Sequence, residues 1–322
     1  MQKCSLPKSD LNPSVLCFGG IPLGSMVDER TSFALLDAFV DAGGNFIDTA
    51  KVYADWIPGE RSVSEKTIGR WLRTRGRRSN VIVATTGAHP ELSSMDRPRL
   101  TPRELIGDLE QSLRNLQVDA IDLYWLHRDD PTRPVEEIID TLHAQMDAGK
   151  IRSYGCSNWR SDRIQAAQAY AQRRGWNGFV ANQMMWSLAV VEARSLPDPT
   201  MAPMDAALKE FHVQSQLPAI PYSAQANGFF HLLAGSQIGG HSGANRKLYE
   251  THQNIERAGR VQALAAEIGL SITEIVIGYL RAQPFLTIPI IGCRTLAQLE
   301  DTCRAADVQL SAAQVAFLDG AA

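Results

Sequence analysis

Short apolar runs alternate with longer segments of helical period along nearly the whole chain. The runs are SVLCFGGIPLG at 14–24, NFID at 45–48, VIVAT at 81–85, IDLYWLH at 121–127, IRSYGCS at 151–157, GFVANQ at 178–183, LPAIPYS at 217–223 and LTIPIIG at 286–292. Each is a strand candidate. Between them lie TSFALLDAFVDAG, SEKTIGRWLRTR, TPRELIGDLEQSLRNLQ, PVEEIIDTLHAQMDAG, RSDRIQAAQAYAQRRG, APMDAALKEFH and ERAGRVQALAAEIG, with apolar residues spaced by three and four as on one helix face. Thr101, Pro102 and Glu104 form a helix start with a capping box, and Gly43 and Gly149 follow helix ends. Eight strands, seven intervening helices and a terminal one predict an α/β chain folded as a (β/α)8 TIM barrel. Residues 1–322 read as one such domain, with a long loop at about 223–256 where glycines and a polar run interrupt the pattern. The rival, an open doubly wound sheet, calls for a glycine fingerprint after its first strand, and LGSMVDER does not match it.

Composition narrows the function classes. A formal charge of −3 with no basic stripe argues against nucleic-acid binding; the one basic cluster, RTRGRR at 73–78, reads as a helix end. Five cysteines without paired short spacing indicate neither a disulfide framework nor a zinc site, so no metal is expected and a reducing cytoplasm is the default. No apolar stretch approaches the roughly 20 residues of a membrane span, and MQKCSLPKSD lacks the apolar core of a signal peptide. No repeat or heptad indicates an oligomeric state.

Barrel chemistry gathers at the C-terminal ends of the strands, where the loops converge over a packed interior. Asp48 ends the second predicted strand, Thr86 the third, His127 the fourth, Ser157 and Asn158 the fifth, Gln183 the sixth and Tyr222 the seventh. Tyr53 follows Asp48 closely enough for a short loop to return its phenol over the mouth. Taken singly, Asp48 serves as well as a cap, Tyr53 as a half-buried loop aromatic and His127 as a core histidine. Their common placement favours one pocket.

GGNFIDTAKVY at 43–53, DLYWLHRDD at 122–130, GCSN at 155–158 and IIGCRTLAQLED at 290–301 resemble the aldo-keto reductase superfamily, from about residue 16 to 311. The resemblance implies an NADP(H)-dependent oxidoreductase that interconverts an aldehyde or ketone with an alcohol. Within it Asp48, Tyr53 and His127 occupy catalytic positions: Tyr53 is the general acid and base, His127 polarises the carbonyl, and Thr86 stands where the family has lysine. Ser157, Asn158 and Gln183 resemble the nicotinamide-carboxamide contacts, and Trp186 replaces the tyrosine that many relatives stack on that ring. Tyr222, Ser223 and Gln225 resemble the segment around the pyrophosphate. Gln298 and Asp301 fall where the family contacts the adenosine half, with Thr302 where an asparagine often follows. On physical grounds Arg294 and Thr295, at a helix start, suit a 2′-phosphate, which favours NADP(H) over NAD(H); a solvated surface charge is the plain alternative for Arg294.

Threonine cannot supply an ammonium to acidify the phenol, and it leaves Asp48 without its natural partner. Three accounts follow: a working reductase or dehydrogenase; an NADP-binding protein with little turnover that serves as a sensor or partner subunit; and an inactivated Lys-to-Thr variant. Trp56, His89, Arg128, Trp159, Trp186 and Phe229 are candidates for the substrate rim, and aromatics beside polar groups suit a sugar-like carbonyl or a xenobiotic aldehyde. Asp129 and Asp130 before Pro131 read equally as a structural turn. The expected partner is a small-molecule carbonyl or alcohol.

Overall fold

The computed structural model describes residues 1–235 and 247–321. Parallel strands β1 (Cys17–Gly19), β2 (Phe46–Ala50), β3 (Ile82–Gly87), β4 (Ile121–Leu126), β5 (Ile151–Ser157) and β6 (Asn182–Gln183) neighbour one another in chain order, and β7 (Ile290–Ile291) returns to pair with β1. The remaining stave is residues 219–222. Ile220 N donates to Asn182 O at 2.8 Å and Tyr222 N to Met184 O at 2.9 Å on one side, while Ala219 N donates to Leu286 O at 2.9 Å on the other. Pro218 and Pro221 lack the amide hydrogens of a full ladder, so this stave is joined by single bridges rather than as a regular strand. Pro289 shortens β7 in the same way. The fold is the expected (β/α)8 barrel.

Side chains alternate across each strand and sort into two apolar layers. Cys17, Phe46, Ala84, Leu123 and Trp125 point inward and fill the barrel with Val180, Ile220 and Ile288, floored by Leu6 and Leu11 from the N-terminal segment. Phe18, Ile47, Val83, Tyr124 and Leu126 point outward against the helices. Trp125 is the largest inward residue, and Gly155 beside it makes the room: a Cβ there would lie 2.3 Å from the indole.

The helices are α1 (Glu29–Asp41), α2 (Val63–Arg75), α3 (Pro102–Leu116), α4 (Val135–Asp147), α5 (Ser161–Arg173), α6 (Ala206–Ser215), α7 (Phe229–Leu233), α8 (His252–Ile268), α9 (Ile272–Arg281), α10 (Leu296–Arg304) and α11 (Ala312–Asp319). The capping box at Thr101 and Glu104 is formed, a device worth about 1 kcal/mol, and Gly43 and Gly149 take left-handed φ values after α1 and α4. Helix α9 has no counterpart in the expected pattern. It follows α8 with no strand between them, against the strand–helix alternation of the rest of the chain; its capping box at Ser271 and Glu274 and its one-sided apolar period are the usual helix signals, and Gly278 lets it close on Val308 and Leu310. The expected loop at about 223–256 contains α7 and overlaps the first turn of α8, which begins at His252; its residues 236–246 lie outside the described residues. Among the described residues no single helix is long and apolar enough to cross a membrane.

Candidate active site

A cavity of about 440 Å³ opens over the C-terminal ends of the strands. Tyr53, His127, Arg128, Ser157, Asn158 and Gln183 line one end, and Arg294, Gln298, Asp301 and Thr302 line the other. Tyr222, Ser223 and Gln225 run between them.

A hydrogen-bonded network ties the strand ends together beneath this cavity. Asn158, in a left-handed conformation just past β5, donates to His127 O and Ser157 Oγ, both at 3.1 Å, and its Oδ1 accepts from Tyr222 Oη at 2.7 Å and Ala202 N at 3.2 Å. Its amide is saturated. Ser157 Oγ donates to Gln183 Oε1 and Gln183 Nε2 donates to Asp48 Oδ1, each at 3.2 Å. Gln183 therefore keeps one uncommitted amide hydrogen.

Asp48 and Thr86 share the inward face of adjacent strands, since Asp48 pairs with Ala84 and Ala50 with Thr86. Both are buried below the cavity floor rather than in its lining. No cation pairs with Asp48 among the described residues. Burial drives its carboxyl up to about 8, offset only in part by Trp125 and Gln183; the Trp125 Nε1 lies beside it without completing a hydrogen bond. Thr86 Oγ1 is likewise buried without a hydrogen-bond partner.

Tyr53 and His127 face each other edge to face with ring centroids 6.3 Å apart, and His89 packs on His127 at 4.5 Å. Burial, Arg128 and His89 hold His127 well below the usual histidine range, so its ring is neutral. Burial and then the nearby Asp48 push the Tyr53 phenol well above its usual range, opposed by Arg128. A neutral imidazole can donate to a carbonyl oxygen, and a protonated phenol can deliver a proton to it.

At the far end, Thr295 caps α10 by accepting from Gln298 N, and Arg294 N donates to Gln298 Oε1 at 2.8 Å. No carboxylate pairs with the Arg294 guanidinium among the described residues. The intervening stretch at 223–228 turns through left-handed φ at Ser223, Ala226, Asn227 and Gly228. Such conformations cost about 1 kcal/mol or more at non-glycine residues and cluster where a loop is shaped around a ligand.

Several expected site residues lie elsewhere. Trp186 stacks on Phe285 with centroids 5.9 Å apart and faces a separate cavity, whereas Tyr222 lines the main one. Trp159 is fully buried, with its indole donating to Arg128 O at 3.2 Å and Arg163 over its ring. Phe229 is packed against Phe230 and Tyr249. Thr295 serves as a cap, His89 stands behind His127, and Trp56 is exposed beside Tyr53. Asp129 has the structural role, bridged to Arg163 at 2.9 Å. Sequence reading missed Ile21, Met26 and Met201 in the cavity wall, because scattered loop apolars carry no periodic signal. The GG of the first strand was such a signal: a Cβ on Gly20 would press to 2.9 Å on Asp48 O and Ser64 Oγ, which draws this wall onto β2.

Residues 15–322 match the model of the aldo/keto reductase family. The chain is 32% identical to an uncharacterised oxidoreductase, YrpG, of Bacillus subtilis, over 96% of this chain and 92% of the relative. It is 30% identical to the aryl-alcohol dehydrogenase [NADP(+)] of Phanerodontia chrysosporium, over 92% of this chain and 77% of that protein. A probable voltage-gated potassium channel subunit beta of Oryza sativa subsp. japonica is 28% identical over 96% of this chain and 92% of its own length.

Proposed function

The chain belongs to the aldo/keto reductase family, and on that premise we propose that it is an NADP(H)-dependent reductase of apolar, aryl-type carbonyls that works through Tyr53 and His127. Oxidoreductase activity between carbonyl and alcohol is common ground with its relatives. The observation that carries the finer reading is one continuous cavity with Tyr53 and His127 at one end and, at the other, an Arg294 that pairs with no carboxylate among the described residues.

The residues present fit a nicotinamide dinucleotide. Gln183 and Ser157 retain hydrogen-bonding capacity for the carboxamide, and the saturated Asn158 holds Tyr222 as the ring's platform. Ser223 and Gln225 lie along the diphosphate path, and Arg294 at the start of α10 offers a planar fork to a 2′-phosphate. When bound, the reduced cofactor supplies a hydride to the carbonyl carbon. His127 then donates a hydrogen bond to the carbonyl oxygen, and Tyr53 passes its phenolic proton to that oxygen and regains one from solvent.

The mouth favours apolar substrates. Ile21 and Met26 line the cavity, 41% and 45% exposed, and Trp56 beside Tyr53 is 48% exposed. Of the six rim residues on which a sugar-like substrate rests, Arg128 lines the cavity, Trp56 stands beside Tyr53 and His89 behind His127, while Trp159, Trp186 and Phe229 are packed away from it, which leaves few polar groups beside an aromatic face. The aryl-alcohol dehydrogenase relative points the same way.

Fluorescence titration of the purified protein should show NADPH binding at micromolar concentration. Tyr53→Phe should keep that binding and lose about 100-fold or more in reduction of aryl aldehydes over aldoses. Absence of NADPH and NADH binding would overturn the reading. Arg294→Ala should weaken NADPH binding about tenfold or more and NADH little, on the scale of a lost charge-assisted fork; equal losses would remove the 2′-phosphate assignment. The buried, uncharged surroundings of Asp48 favour a second reading, a cofactor-binding protein with slow turnover, which predicts binding without measurable reduction.

A further inference from the structure

We propose that Arg128 supplies the positive charge that the Tyr53 site would otherwise lack, acting on the reaction through Tyr53 as a positioning residue; this rests on the oxidoreductase reading above. Arg128 lines the same cavity as Tyr53, His127 and Tyr222 and is only 7% exposed. Its guanidinium is fixed from three sides. Nε donates to Thr200 Oγ1 at 2.8 Å, Nη1 to His127 O at 2.9 Å and Nη2 to Asp198 Oδ2 at 2.8 Å. A guanidinium has five N–H donors, so two remain uncommitted in a group rigid enough to hold its charge in place.

The lysine that follows β2 is committed elsewhere. Lys51, whose N donates to Thr86 O, sends its ammonium to Asp108 at 2.6 Å, a carboxylate also taken by Arg99. The charged and titratable groups acting on Tyr53 are Asp48 and Cys17 from the barrel interior, Tyr222 from the proline-broken stave, and Arg128 after β4. Arg128 is the sole cation among them. Its counter-ion Asp198 accepts from Nη2 through one oxygen and from Thr200 N and Oγ1 through the other.

In reduction the phenolic O–H bond breaks as the product O–H bond forms, and the guanidinium in the same cavity stabilises the negative charge left on the Tyr53 oxygen until a solvent proton returns. In oxidation the phenolate is the acceptor, and the same charge raises its population. The field favours the charged form of Tyr53 in both directions.

The test is the pH profile of alcohol oxidation by the full-length protein with NADP, where the rate climbs as Tyr53 ionises. Arg128→Gln should displace the ascending limb to higher pH by about one unit, equivalent to about tenfold lower rate at a fixed pH on that limb. Asp198→Asn should displace it to lower pH. Thr86→Lys placed in the Arg128→Gln background should restore the limb, which a charge at another position does and a repaired loop clamp does not. An unmoved limb in Arg128→Gln, or no restoration by the lysine while NADPH binding persists, would overturn the proposal and leave Arg128 as a clamp for the 198–200 loop. A parent that binds no NADPH brings down the functional reading and this proposal together, whereas a parent that turns over with an unmoved Arg128→Gln limb brings down the proposal alone.

Discussion

Thr86→Lys is expected to raise aryl aldehyde reduction by about 10- to 100-fold, the scale on which a single preorganised electrostatic contributor acts. The substituted side chain starts from the inward face that carries Asp48, one step nearer the strand ends. Its ammonium would pair with the Asp48 carboxyl, return that group from about 8 towards the ordinary carboxylate range, and lower the Tyr53 phenol. The indole of Trp125 fills the interior across from both residues, so added methylenes meet resistance of about 1–3 kcal/mol. The double variant with Trp125→Leu removes that resistance and should gain more than the single one. Steady-state kinetics with NADPH binding measured in parallel decide it: no gain in either variant, with binding intact, means that charge at this position does not limit the reaction.

Asp48→Asn is expected to stabilise the protein in a pH-dependent way. A carboxyl near 3.9 in the unfolded chain and about 8 in the folded one binds more protons when folded, so the stability of the parent falls as pH rises between those values. The penalty is absent below about pH 4 and levels off above about pH 8, with a ceiling of roughly 5 kcal/mol set by the pKa difference. Asparagine keeps the shape and an oxygen to accept from Gln183, and it has no charge to bury. Thermal melts from pH 4 to 9 should show the two proteins diverging as pH rises, with the variant several degrees higher at the alkaline end. Parallel melting curves, or a parent that gains stability over that range, would rule out a neutral buried Asp48.

The barrel and the strand-end residues were legible in the sequence because both rest on local signals: period, caps, and motifs that end strands. Asp48, Tyr53, His127, Gln183 and Tyr222 keep the relation that strand-end placement gives them, with Asp48 just under the floor. Placement on a strand end is silent about rotation further along the chain. Trp186 and Trp159 lie only a few residues beyond such ends, yet each turns into packing between barrel and helices. Helix α9 carries a capping box and a one-sided apolar period, but it follows α8 directly and so falls outside a reading built on one helix per strand. The Asn158 hub depends on Tyr222 and Ala202, both 44 or more residues away along the chain, and long-range hydrogen bonds leave no local pattern.

The close fit of Gly155 against Trp125 also bears on how this interior is able to change. The uncharged environment of Asp48 is written on three neighbouring strands at once: a hydroxyl at 86, an indole at 125 and a missing side chain at 155. A methyl group at 155 collides with the indole as it stands, and a smaller residue at 125 opens a void beside the glycine. The three positions pack as one unit, so a charge introduced at 86 is accommodated more fully when the residue at 125 shrinks with it.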